Sequence, residues 1–137
     1  MTTPTKQNQL AADLEANLPH FTGTESYTNL RYPWLRGQKF LLTDGTKYLA
    51  ETAKAFWLMD AIASHQTNRQ VAAEPFQVWE LTVNEKREAV LTCTDGNKTI
   101  LVRQEIPATD FPLEKITLYA EQSDYLGGRV VMLTSEY

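Results

Sequence analysis

Residues 40–64 constrain the fold more than any other part of the chain. Phe40-Leu41-Leu42 reads as a short strand, Asp44-Gly45 as a tight turn, and residues 46–64 as a helix without an internal Gly or Pro. At ~100° per residue, Leu49, Ala53, Phe56 and Ala63 fall on one side, with Trp57 at the flank. Lys47, Glu51, Lys54 and His65 fall on the other. This predicts one long amphipathic helix over residues 46–64. Asp60 lies inside its apolar stripe, so its carboxylate needs donors or must protonate.

The second half of the chain alternates with the period of strands. Trp79, Leu81 and Val83 share a face, as do Ala89, Leu91 and Cys93, and later Ile116, Leu118 and Ala120. Gly127-Gly128 turns the chain into a last strand from Arg129. A two-residue Asp95-Gly96 turn would place Thr94 opposite Asn97, Leu91 opposite Ile100 and Glu88 opposite Arg103, an exposed ion pair worth about 0–1 kcal/mol. Tight turns between consecutive strands make them antiparallel. The expected fold is therefore α+β: an antiparallel sheet of about five to six strands, one long amphipathic helix on one face, and a short N-terminal helix carrying Leu10, Leu14 and Leu18. Residues 1–137 read as one domain, with a loose end over residues 1–6 and an aromatic-rich loop over residues 20–38.

Composition narrows the function classes. The formal charge is −4, from 17 acidic and 13 basic residues, and no Lys/Arg run stands out, so nucleic-acid binding is disfavoured. One cysteine, Cys93, admits no internal disulfide and alternates inward as a small core residue. His20 and His65 have no chelate spacing, and neither a metal nor another cofactor is expected. His65 reads as a solvated residue at the end of the helix. No apolar run approaches the length of a membrane span, and a soluble cytoplasmic protein is the expectation. The Val130-Val131-Met132-Leu133 run, apolar on both faces, suggests a strand edge that pairs in a homodimer.

Three places stand out as candidate sites. Asp44, Thr46 and Lys47 sit where a strand enters a helix, so free amides there can hold an anion, or simply be capped by Asp44 or Thr46. Asp60 reads either as a fastener that receives donors from the aromatic loop or as an acid–base group. A buried fastener predicts that Asp60→Asn costs about 1–3 kcal/mol. Tyr27 and Trp34, with Phe21 and Tyr32, either pin the loop to the core or form a recognition wall. With no catalytic constellation, a non-enzymatic binding or protein-interaction module is the first functional reading. The alternative is a small-molecule-binding protein or small enzyme using the turn around Asp44 to Lys47.

Several segments resemble an uncharacterised family of small bacterial proteins, often from cyanobacteria, plasmids or other mobile DNA. They are Phe21-Thr22-Gly23-Thr24-Glu25 with Tyr27, the block from Leu42-Thr43-Asp44-Gly45-Thr46-Lys47 through Phe56-Trp57-Leu58 and Asp60, then Asp110-Phe111-Pro112-Leu113 and the terminal Ser135-Glu136-Tyr137. The resemblance implies a bacterial cytoplasmic setting and carries no functional residue with it.

Overall fold

A computed structural model describes residues 5–137. The expected loose end therefore lies largely outside the described residues, and α1 (Lys6–Asn17) begins at once, capped by the Thr5 hydroxyl. Leu14 is fully buried and Leu18 nearly so, which docks this weakly amphipathic helix on the core. The aromatic loop after α1 contains a short strand, β1 (Thr28–Asn29), and a 3-10 turn, Pro33–Leu35. Next come β2 (Lys39–Leu42), α2 (Asp44–Thr52), α3 (Phe56–His65) and the short α4 (Arg69–Ala72). Five strands complete the domain: β3 (Phe76–Val83), β4 (Ala89–Thr94), β5 (Ile100–Ile106), β6 (Lys115–Ser123) and β7 (Gly128–Leu133).

The class is α+β, but the sheet is larger than expected and mixed. Seven strands lie in the order β1-β2-β7-β6-β3-β4-β5. β7 enters between β6, antiparallel to it, and β2, parallel to it. All six of its residues are buried, which accounts for the doubly apolar Val130 to Leu133 run within the chain. Gly128 permits the parallel pairing, because a Cβ there would collide with the backbone of Lys39. The strands are no simple meander either. After β5 the chain crosses to the far side of β3, and the crossing buries Phe111 and Leu113 beneath the helices.

The single long helix is two helices. α2 ends in a Schellman motif: the Lys54 amide donates to Glu51 O and the Ala55 amide to Ala50 O, with Lys54 at φ 52°. The break resets the phase of the apolar stripe. α3 buries Leu58, Met59, Ile62 and Ala63, while Phe56 and Asp60 turn outward. His65 also departs from the expectation. It is half-buried, with Nε2 2.7 Å from Gln104 Oε1 and its ring against Trp79.

The hairpin register moves by four residues. Leu91 pairs with Gln104 and Thr92 with Arg103, because Asp95 Oδ1 accepts the amides of Asn97 (2.7 Å) and Thr99 (3.3 Å) and organises a longer loop. An even slip keeps each side chain on its own face, so Ala89, Leu91 and Cys93 still point inward. The Glu88–Arg103 pair is replaced: Arg103 meets Glu105 at 2.9 Å, and Glu88 accepts from Asn84. Among the described residues no helix is long and apolar enough to cross a membrane.

Candidate functional site

The strand-to-helix turn around Asp44 is already filled by the chain itself. Thr43 is the N-cap of α2, its hydroxyl accepting the Thr46 amide. The anion at this helix start is Glu136, from the C-terminal 3-10 turn Thr134–Glu136. Its carboxylate accepts from the Thr43 hydroxyl (2.6 Å), the Gly45 amide (3.1 Å) and the Leu133 amide (3.0 Å). Gly45 is required here, since a Cβ would stand 2.5 Å from Leu133 Cδ1 and 2.7 Å from Glu136 Oε1. Thr46 is buried and bonds to Val131 O, whereas Lys47 points outward and pairs loosely with Glu51.

Asp44 ties down the preceding loop. Its carboxylate accepts the Glu25 amide at 2.8 Å, and its own amide donates to the Thr24 hydroxyl. The Glu25 amide and the Thr24 hydroxyl hold its carboxyl below the usual carboxylate range. The tail completes the knot: Ser135 donates to Phe21 O at 2.6 Å, and Tyr137 packs on Phe76 and Tyr119. Thr24, Thr43, Asp44, Gly45, Ser135 and Glu136 thus form one clasp joining the N-terminal loop, α2 and the C-terminus.

Asp60 fastens the aromatic loop, but from an exposed position. Tyr32 donates its hydroxyl to Asp60 Oδ1 at 2.5 Å. Burial first, then the neighbouring carboxylate, raises the Tyr32 pKa above the ordinary phenol value. Trp34 is anchored beside it through Nε1 to Ala63 O (3.2 Å), with its ring 4.7 Å from that of Tyr32. Even so, the residue remains 44% exposed. Tyr27 is also exposed. Cys93 is buried, which pushes its thiol up to about 12, as suits a core residue rather than a nucleophile.

Of the sequence-predicted site residues, Trp34 alone lines the cleft with the most distinctive chemistry. This cleft, about 330 Å³, opens between the Pro33–Leu35 turn and the β2, β7 and β6 ends. Arg36, Lys39 and Arg129 border it, and no carboxylate does. None of the three cations belongs to an ion pair among the described residues. Gln38 and Gln122 also line the cleft, and their side-chain amides make no hydrogen bond among the described residues.

Arg129 forms the floor. It is 5% exposed, and its Nη1 and Nη2 donate to the carbonyls of Glu74 (3.0 Å), Pro75 (3.2 Å) and Ala72 (3.2 Å). Those acceptors cluster where α4 ends, a site of partial negative charge. Burial pulls the Arg129 pKa down from its ordinary value, opposed by the field of Glu74. Its Nε makes no hydrogen bond among the described residues, and Arg129 lines the cleft. At the rim, Arg36 has φ 51°, a left-handed conformation uncommon outside glycine. Sequence reasoning passed over Arg129. The signal was an arginine opening the most apolar strand of the chain, the same kind of anomaly that singled out Asp60.

A larger groove between α1 and residues 112–115 carries both Glu15 and Glu114 beside Lys115, and offers no comparable convergence of one charge. No curated protein and no solved structure shows significant similarity to the chain. Over residues 12–137, spanning the clasp, both central helices and the cleft, the chain matches the family described as Family of unknown function (DUF6876), and it belongs to that family.

Proposed function

We propose that this protein is a non-catalytic binding protein that holds a small anionic ligand in the cleft beneath Trp34. The observation that carries this is the unpaired charge: Arg36, Lys39 and the buried Arg129 border one cavity that no carboxylate enters. A buried cation with no carboxylate in contact is costly to keep, and an anion arriving in a partly desolvated cleft adds that interaction. The setting sharpens the contrast, because the chain as a whole is acidic at −4. The cavity sits at the small end of the roughly 300–1,000 Å³ range of ligand pockets. No nucleophile or acid–base pair lines it, so the reading is binding rather than turnover.

Titration calorimetry with inorganic phosphate at low salt tests this. Binding that is lost in the Arg36→Gln/Lys39→Gln double variant, with the fold intact, supports the reading. Absence of binding up to millimolar phosphate overturns it.

A second reading, a protein partner or second copy, draws support from β5. Among the described residues no strand pairs with the outer side of this seven-residue edge strand, and Ile100 at its start is 64% exposed. Light scattering at micromolar concentration tests self-association, and a dimer that Arg103→Pro abolishes would place the contact on this edge.

A further inference from the structure

The cleft is not chemically uniform, and its two ends call for two different groups in one ligand. We infer that its ligand is a mononucleotide-like anion: a phosphoryl group over Arg129, Lys39 and Arg36, and a flat ring against the exposed surface of Trp34. The inference rests on the anion-binding function proposed for this cleft and adds the ring and the phosphoryl.

The ring half follows from how Trp34 is held. Its Nε1–H is committed to Ala63 O at 3.2 Å, and its ring lies 4.7 Å from Tyr32, itself bonded to Asp60. The indole is therefore fixed in orientation from one side only. The residue as a whole stays 44% exposed, and it lines the cleft that the three cations border. A large apolar ring held rigid yet left open, beside charges that attract an anion, suits stacking by a planar group. The side-chain amides of Gln38 and Gln122 offer donors and acceptors to the edge of such a ring, since neither side chain is bonded among the described residues.

The phosphoryl half follows from charge number. Three cations exceed what a single carboxylate balances, whereas a phosphate monoester carries about −1.5 to −2 near neutral pH and several acceptor oxygens. Arg129 provides charge held in place by its carbonyl partners, and Lys39 and Arg36 supply exposed charge from the rim. The cavity of about 330 Å³ accommodates one nucleotide rather than a chain of them. Oligonucleotide binding would also need basic surface beyond the cleft, which an acidic chain without a Lys/Arg run does not supply.

Calorimetric titration with inorganic phosphate, the common purine and pyrimidine nucleoside 5′-monophosphates, the matching nucleosides, and a short 5′-phosphorylated oligonucleotide separates the possibilities. At least one monophosphate should bind about tenfold or more tightly than phosphate, the size of one base–aromatic stack, and its nucleoside should bind far more weakly. Trp34→Leu should erase that advantage while phosphate still binds. Arg36→Gln/Lys39→Gln should weaken phosphate and monophosphate alike, and circular dichroism should show both variants folded. Equal affinity for phosphate and every monophosphate overturns the ring, leaving the anion site standing. Tighter binding of the oligonucleotide than of any monophosphate overturns the small-molecule assignment. Silence from every anion overturns both.

Discussion

The clasp and the cleft are built from the same ingredients and end in opposite states. At the start of α2, amides and hydroxyls gather positive potential, and the chain answers it with its own Glu136 carboxylate. At the foot of β7, Arg129 gathers positive charge with Arg36 and Lys39, and the chain answers with backbone carbonyls and the distant field of Glu74, with no carboxylate lining the cleft. A closed site of this kind reads as architecture, because its ligand is permanently attached. An open one reads as function. The segments by which the chain resembles its family fall heavily on the clasp, so that resemblance reports how the fold is locked more than what the protein binds.

If the clasp is architectural, breaking it should cost stability first. Glu136→Ala leaves the Gly45 and Leu133 amides without their acceptor and the Thr43 hydroxyl with only its longer bond to Val131 O, and should lower unfolding free energy by about 2–3 kcal/mol in urea. A loss under about 0.5 kcal/mol would mean water replaces the carboxylate freely and the clasp is decoration. Gly45→Ala should do comparable damage, roughly 1–3 kcal/mol, by pushing against Leu133 and Glu136.

The cleft should respond in affinity instead. Arg36→Gln and Lys39→Gln remove exposed, unpaired charges, so stability should stay within about 0.5 kcal/mol of the parent while phosphate affinity falls about tenfold. Substantial unfolding with either change would make these residues structural and dissolve the contrast with Glu136.

Acid sharpens the comparison at Asp44. Its folded carboxyl is held below its ordinary value, so its contribution is fully present above pH ~4 and disappears as pH falls through the folded value. The stability gap between parent and Asp44→Asn should therefore be constant near neutrality and close below about pH 4. A gap that persists in stronger acid would assign the effect to shape rather than charge.

Much of the fold was legible because it is local. The faces of β3 and β4 follow from Trp79, Leu81, Val83 and from Ala89, Leu91, Cys93, and the docking of α1 follows from Leu14 and Leu18. What stayed hidden is non-local or written in an unusual residue. The parallel pairing of β2 with β7 joins Lys39 to Gly128, and Glu136 reaches Gly45 across 91 residues. No periodicity encodes either. The hairpin register failed on chemistry rather than pattern, since the Asp95 side chain captures two amides and lengthens the loop. Of the candidate site, the sequence exposed Trp34 but not Arg129, whose partners are carbonyls that any residue supplies.

The smallest effect concerns the joint between the two regions. α2 carries the clasp, and α3 carries Asp60 and Ala63, which hold Tyr32 and Trp34 over the cleft. Lys54 forms that joint in a left-handed conformation where helices usually place Gly or Asn, and this is why a wheel drawn straight through residues 46–64 misplaced Asp60. With Asp60 exposed, Asp60→Asn should cost under about 1 kcal/mol, less than a buried fastener would. Lys54→Gly removes the strain of a side chain at φ 52° but adds freedom to the unfolded chain, so a net gain of about 0.5–1 kcal/mol is expected. Because the joint's geometry is kept, phosphate affinity should not change. A variant that gains stability and loses phosphate binding would show that strain at Lys54 holds Trp34 in place, and that clasp and cleft are one coupled device rather than two independent ones.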